Sequence, residues 1–421
     1  MADKGFDWET EIAVIGAGPA GSATSISLSQ KGIKHILFEK AQFPRDKICG
    51  DGLSGKVVSL LGKIDPAIIS ELQNSAHKSN PSWGVRFVAP NGRQVDIPFY
   101  LDTSKKTQPP GFVIRRLDFD HILLRRIDRQ WADLRLGSEV VDVEYAERGI
   151  VLHIKNGTQQ ATCLAQLVID AEGDRSLVAK KLAGQRLQPE HYYAGLRVYY
   201  ENVRGMHPEN YIELHFLKDL LPGYFWIFPL PNNQANVGLG LLSQSIKSRR
   251  LNLKKVLQSI IHENPHIRER FKEAYPVDEV RGWGLPLGST KRPLSGARFI
   301  LTGDAGALID PLTGEGVGNA LVSARLAAQV VEQAVKQKDY SANFLKQYDD
   351  CVYNELWSEL KLSRFIQHLV RLPWLFNFVF NRLYNNKTLQ ETFSAMLNDL
   401  DMRARLRSPS FYFRILFNSR P

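Results

Sequence analysis

An α/β fold is predicted for this chain, with an inserted antiparallel β-sheet and a helical C-terminal region. Three observations carry the prediction. A short apolar run ends in Gly16-Ala17-Gly18-Pro19-Ala20-Gly21 and leads into a helical pattern of small residues. A second glycine-rich loop, Gly303 to Gly316, again separates an apolar run from a helical one. Between them, Tyr192 to Gly240 alternates aromatic and β-branched residues, as suits an antiparallel sheet with one face lining a core or pocket.

Taken in order, Glu11 to Ile15 reads as a strand, Pro19 to Lys31 as a helix and His35 to Phe38 as a second strand closing on Glu39. A turn-rich stretch from Lys40 to Ser54 precedes a helix near Val57 to Gly62. Ser82 to Pro98 alternates like strands, Asp118 to Trp131 has helical spacing, and Val140 to Ile154 reads as a strand pair turning near Glu147. Leu167 to Asp170 is a buried-strand pattern. Leu253 to Phe271 reads as a helix, Arg298 to Thr302 as a strand and Val317 to Lys336 as a long helix. The expected domains are therefore discontinuous: 1–82, 112–190 and 281–340 for nucleotide binding, 83–111 and 191–280 for a β-rich substrate region, and 341–421 for a helical, basic and aromatic C-terminal region.

Each part of the first motif has a physical task. Gly16 allows the tight turn, Gly18 lets backbone approach a pyrophosphate at the positive end of a helix that opens with Pro19 and Ala20, and Gly21 permits close helix packing. Glu39, 18 residues beyond Gly21, can accept hydrogen bonds from a ribose. These features fit a Rossmann-like fold but do not separate FAD from NAD. The second loop does. Gly303-Asp304-Ala305-Gly306 and Thr313-Gly314-Glu315-Gly316, followed by Val317 and Asn319, have no place in a simple NAD dehydrogenase. Asp304 can bind ribityl hydroxyls, and the Gly314 to Gly318 amides at a helix N-terminus can face the pyrimidine edge of a flavin and stabilise negative charge there. FAD is the expected cofactor.

Length and composition bound the remaining classes. At 421 residues the chain exceeds one simple core, and 43% hydrophobic with 23% charged residues is globular. Cys49, Cys163 and Cys351 are few, odd in number and not spaced as ligands, so neither a disulfide framework nor a metal site is expected. The polar N-terminus reads as no signal peptide, and no run approaches a spanning helix, so a cytoplasmic protein able to lie on a membrane is expected. The net charge of +10 is concentrated late: from Lys361 onward ten Lys or Arg face three acids. Trp374, Phe376, Phe378, Phe380, Tyr384, Phe411, Tyr412, Phe413 and Phe417 are interleaved with them. That mixture suits either peripheral contact with an anionic lipid surface or a helical subdomain with aromatic core and solvated cations. No recognised nucleic-acid module accompanies the charge, so no nucleic-acid partner is expected, and the chain is read as a monomer.

Four stretches resemble the geranylgeranyl-reductase family, within the glutathione-reductase-like and hydroxylase-like flavoproteins. They are the Gly16 to Gly21 turn, Phe43-Pro44-Arg45-Asp46-Lys47-Ile48-Cys49-Gly50-Asp51-Gly52, the Gly303 to Ala320 loop, and Tyr224-Phe225-Trp226-Ile227-Phe228-Pro229 followed by Gly238-Leu239-Gly240. The likeness covers roughly residues 10 to 335. It implies an FAD-dependent reductase that saturates C=C bonds of a geranylgeranyl-type isoprenoid or lipid, with NAD(P)H or ferredoxin as candidate donors. It also implies that Lys40, Arg45, Cys49, Gly50 and Val140 lie along the cofactor, and that Arg116, opening Arg-x-x-Phe-Asp with Phe119 and Asp120, contacts it in preference to Arg115. Asp170 to Ser176 is similar to the family's Asp-Gly motif, with Glu172 where an aspartate is usual.

Tyr224, Trp226 and Phe228 alternate, so a strand places them on one face. They read either as core or as an aromatic wall beside an isoprenoid, able to steady positive charge, with Gly238 and Gly240 leaving room for the chain. Cys49 reads either as a small buried hydrophobe or, by the resemblance, as a group facing flavin and substrate. Cys49, Tyr224 and Trp226 are the candidate catalytic residues. Cys163 and Cys351 are assigned to structure. The competing activities are an FAD-dependent monooxygenase or halogenase, and a membrane-docked electron-transfer flavoprotein. Halogenases of this lineage show Trp-x-Trp-x-Ile-Pro, from which Tyr224 to Pro229 departs.

Overall fold

The computed structural model describes residues 5–100, 108–387, 389–391 and 394. Phe411, Tyr412, Phe413 and Phe417 lie outside the described residues. The chain divides into two units, one formed by 1–47, 116–191 and 285–361, the other by 48–115, 192–284 and 362–421.

The first unit is built on five parallel strands in the order Phe299–Leu301, Gln159–Asp170, Trp8–Ile15, His35–Glu39 and Ala132–Leu136. Ile15 sits level with Asp170 on one side and Phe38 on the other, which brings three strand ends together. The hairpin Glu139–Ala146 and Gly149–Asn156 extends this sheet antiparallel along Gln159–Asp170. Burial on both faces explains the continuous Ile12-Ala13-Val14-Ile15 run.

Helix Pro19–Gln30 is buried from Pro19 to Ser29. Three of its hydroxyls are satisfied, Ser22 donating to the Ala17 carbonyl at 3.0 Å, Thr24 to that of Ala20 at 2.8 Å and Ser25 pairing with His35 Nε2 at 2.6 Å, which offsets much of the cost of burying a Ser- and Thr-rich helix.

Helix Arg116–Arg125 is shorter than the Asp118 to Trp131 expectation. Asp128 caps a turn by accepting from the Gln130 amide at 2.9 Å, and the chain then enters Ala132–Leu136, a strand the sequence pattern did not show.

The second unit carries a sheet ordered Tyr275–Pro276, Tyr192–Glu201, Gln234–Leu242, Tyr224–Leu230, Ile212–His215, Gly84–Val88 and Gln94–Pro98. Ile212–His215 and Gly84–Val88 run parallel, and the neighbouring pairs are antiparallel. Phe225, Ile227, Val237 and Leu239 point to one face, where Leu257, Ile260 and Ile261 of helix Leu253–Glu263 cover them. That helix stops short of the expected Phe271 because Asn264 precedes Pro265 and takes an extended conformation.

A small sheet of Gly52–Leu53, Gly111–Ile114 and Ser79–Ser82 completes this unit. Its pairing groups 48–82 with the β-rich unit, where the sequence reading had placed them with nucleotide binding. Of helix Ala342–Val370, residues up to 361 group with the first unit, anchored by Tyr348 donating to the Leu301 carbonyl at 2.9 Å.

Candidate functional site

In the first unit the Gly16 turn is fixed from three sides. Gly16 has φ +93°, and a Cβ there would lie 2.6 Å from the Ala171 carbonyl oxygen. A Cβ on Gly21 would lie 1.7 Å from the Gly16 oxygen, so glycine is obligatory at both positions. The buried Glu39 carboxylate accepts from the Ala17 amide at 2.7 Å and the Ala41 amide at 2.9 Å. It therefore organises the turn as well as standing where a ribose hydroxyl would be sought.

Helix Pro19–Gln30 begins at Gly18 without a side-chain cap or an acid in its first turn. The space beside Gly18 is open, the nearest side-chain atoms to a Cβ there being guanidinium nitrogens of Arg45 at 3.8 Å and Arg116 at 4.0 Å. Both arginines converge on Asp120, which is fully buried. Arg116 grips it through Nε at 2.6 Å and a terminal nitrogen at 2.8 Å, one helical turn away, and Arg45 through a terminal nitrogen at 2.6 Å. Burial alone would raise the Asp120 carboxyl, but the two guanidiniums more than offset it and hold it below the usual carboxylate range. Two guanidiniums meet on one carboxylate beside a helix N-terminus that has no side-chain cap. That combination fits the pyrophosphate of a dinucleotide.

The second loop lies in the same unit. Gly303 has φ +57°, and a Cβ there would press on Ala20 at 3.1 Å and Ala320 at 3.2 Å. Asp304 has no side-chain hydrogen-bond partner among the described residues. Loss of water raises its carboxyl above the usual range, with Lys47 and Arg116 opposing the shift and Asp174 reinforcing it. An acceptor left in that condition fits hydroxyl donors such as those of a ribityl chain.

Asp310 shapes the turn that leads into the next helix. Its carboxylate takes the Leu312 and Thr313 amides at 2.9 and 2.8 Å, and its carbonyl takes the Gly314 amide at 3.0 Å. Gly314, φ +71°, thus supplies geometry while its own N–H is already used, a correction to its expected part in facing the flavin. The amides that begin helix Val317–Gln337 after Gly316 have no side-chain cap and no acid in the first turn, and they are the ones suited to an anionic ring edge.

Asp170, buried, and Glu172, half-buried, form an acidic pair. Asp170 accepts from the Glu172 amide at 2.9 Å and from the Ser176 hydroxyl, while Glu172 accepts from the Leu177 amide at 3.0 Å. Desolvation pushes Asp170 up to about 6; desolvation and then Asp170 beside it push Glu172 up to about 8. Glu172, where the family pattern has aspartate, therefore caps helix Leu177–Lys181. Lys40 acts on Glu172 electrostatically, and the Val140 side chain is in the core of the sheet.

In the second unit Tyr224, Trp226 and Phe228 do share one face, ring centroids 6.2 and 6.3 Å apart, with Leu230, Tyr199 and Val113. Their placement rests on a polar network the sequence reading missed. The Trp226 indole donates to Asn236 Oδ1 at 2.9 Å; Asn236 Nδ2 donates to Asp51 and to the Cys49 carbonyl, both at 2.8 Å; and the Tyr199 hydroxyl donates to Asp51 at 2.7 Å. Tyr199 is itself sandwiched between guanidiniums of Arg115 at 4.2 Å and Arg197 at 4.0 Å.

The available signals were Asp51 between two glycines and a lone Asn in an apolar strand. Asp51 takes φ +66°, and Phe228 lies 3.2 Å from where a Cβ on Gly50 or Gly52 would be. The space over Gly238 is filled by the Trp226 indole, 2.2 Å from a Cβ there, whereas over Gly240 the nearest atom is 3.9 Å away. Only Gly240 leaves the room expected of both glycines. Cys49 is half-buried, Cys163 is buried with its thiol pushed up to about 12 by desolvation, and Cys351 is exposed.

A family model described as FAD binding domain matches residues 9–350. The chain is 30% identical over 366 residues to a digeranylgeranylglycerophospholipid reductase of Methanococcus vannielii, covering 85% of this chain and 87% of that protein. It is 30% identical over 327 residues to a menaquinone reductase of Mycolicibacterium smegmatis, covering 76% of each. Among solved structures, a geranylgeranyl bacteriochlorophyll reductase-like protein from Thermoplasma acidophilum aligns over 95% of this chain and 98% of its own, with a TM-score of 0.77. At 23% identity that likeness establishes the fold.

Proposed function

We propose that this chain, which belongs to the geranylgeranyl-reductase family of FAD-dependent oxidoreductases, saturates isolated C=C bonds in the prenyl chain of an isoprenoid lipid. The observation that carries the reading is one sequence holding both a pyrophosphate cradle and an aromatic Tyr224-Trp226-Phe228 face with an open glycine, Gly240, opposite.

Reduced FAD supplies the hydride. The chain's own residues do the rest. Gly18, the first-turn amides of Pro19–Gln30, Arg45 and Arg116 bind the pyrophosphate, Glu39 the adenosine ribose and Asp304 the ribityl hydroxyls. The amides of Gly316 and Val317 steady negative charge at the pyrimidine edge. Tyr224, Trp226 and Phe228 exclude water and turn π-faces toward the alkene, stabilising cationic character on its more substituted carbon. Trp226 is prevented from rotating by Asn236. Cys49 Sγ is assigned the proton delivered to the other carbon. Because the substrate is a lipid, the protein works in peripheral contact with membrane.

The test is anaerobic: photoreduce the FAD-loaded protein, add geranylgeranyl diphosphate, and follow flavin reoxidation with product mass. Reoxidation with two mass units gained per double bond is expected. Flavin that stays reduced until oxygen is admitted, with oxygen then appearing in the product, would replace this reading with a monooxygenase.

A further inference from the structure

Large apolar side chains are exposed at eleven described positions, and five of these, Phe365, Leu372, Trp374, Phe378 and Tyr384, fall within twenty residues. Trp374 is the most exposed of those five, at 68%. The segment comprises the end of helix Ala342–Val370, a two-residue link and helix Pro373–Asn385.

The short helix has two faces of different character. Phe376, Phe380 and Leu383 pack on Phe87, Val95 and Ile97 of the second unit's sheet edge. Trp374, Phe378 and Arg382 follow one another at four-residue steps along a different face, with the Arg382 guanidinium 5.6 Å from the Phe378 ring. A helix anchored through one apolar face has no structural need of Trp and Phe on another, and exposing them to water is unfavourable. The charge beside them has one sign. From 362 to 390 the chain carries Arg364, Arg371, Arg382 and Lys387 and not one Asp or Glu. Arg371 precedes the apolar half of the helix and Arg382 follows it.

We infer that the Trp374–Phe378 face of helix Pro373–Asn385, flanked by Arg371 and Arg382, docks on an anionic phospholipid bilayer. The indole and phenyl rings enter the headgroup and acyl boundary while the arginines meet lipid phosphates. Among the described residues no helix is long and apolar enough to cross a membrane. This deepens the reading of a lipid-borne substrate, but its test does not depend on turnover.

The full-length FAD-loaded protein is sedimented with vesicles of phosphatidylcholine alone or mixed with phosphatidylglycerol. Binding to the mixed vesicles, weakened by salt, is expected. Trp374→Glu with Phe378→Glu should lower apparent affinity by at least about tenfold, and Arg371→Glu with Arg382→Glu by a similar factor on the anionic vesicles only. A melting temperature and bound-flavin content equal to those of wild type verify that both variants fold. Wild type that ignores anionic vesicles, or variants that bind them as wild type does, would overturn the inference. If the glutamate variants instead convert a dimer to a monomer without changing sedimentation, a second copy of the chain is the occupant and the lipid inference falls. Failure to turn over any prenyl compound while vesicle binding behaves as described would sink the reductase reading alone.

Discussion

Asp120→Asn tests the electrostatic core of the nucleotide cradle. The wild-type carboxylate is wholly buried and accepts three charge-assisted hydrogen bonds of 2.6 to 2.8 Å from two guanidiniums. The amide keeps the shape but removes the negative charge and points a donor at an arginine. Removing one partner of a buried ion pair costs about 3–5 kcal/mol, because the remaining charge stays desolvated and unmatched. Here two cations are left. Urea unfolding of the FAD-free protein should therefore lose roughly that amount, and phosphate should restore part of it by occupying the same place. The FAD dissociation constant, followed by quenching of flavin fluorescence, should rise at least tenfold, about 1.4 kcal/mol, as Arg45 and Arg116 lose their common anchor. A variant within about 0.5 kcal/mol of wild type and with unchanged FAD affinity would refute the argument that Asp120 sets these arginines.

Other parts of the structure can be tested in the same way. Glu172, pushed up to about 8, binds its proton more tightly folded than unfolded, where glutamate titrates near about 4.3. Its contribution to stability is fully present below the unfolded value and is lost as pH rises through the folded one. Glu172→Gln should flatten the decline in thermal stability between about pH 5 and 9 by roughly 2–4 kcal/mol, and parallel pH profiles for the two proteins would count against it. Gly21→Ala, with a Cβ 1.7 Å from the Gly16 oxygen, should abolish FAD binding in a flavin titration; a yellow, FAD-loaded variant would contradict that steric reading. Gly238→Ala meets the Trp226 ring and the Leu196 carbonyl at 2.2 Å and should destabilise by about 1–3 kcal/mol in urea unfolding. Gly240→Ala, with no atom nearer than 3.9 Å, should leave stability within about 0.5 kcal/mol while raising KM for a prenyl substrate. Equal stability losses at the two glycines would show that the space over Gly240 is not open.

What local chemistry imposes was readable in the sequence. The strand, glycine turn and helix at Glu11 to Lys31, the acid at 39, the second loop at Gly303 and the single face of Tyr224, Trp226 and Phe228 all come from φ requirements and periodicities confined to a few neighbouring residues. The FAD-binding α/β fold with its inserted antiparallel sheet was legible for the same reason. What escaped depends on residues distant in the chain meeting in space. Arg45 and Asp120 are 75 positions apart, and nothing local predicts that one carboxylate gathers two arginines beside Gly18. Asp51, Tyr199 and Asn236 bond across separations of 148 and 185 residues, and strand Ala132–Leu136 exists because His35–Glu39 offers it an edge. The fate of the two glycines shows the division most clearly. The Gly-x-Gly spacing puts both on the same face of strand Gln234–Leu242. Only the packing of one indole, held by Asn236 from the same strand, decides that the space over Gly238 is filled and that over Gly240 is open.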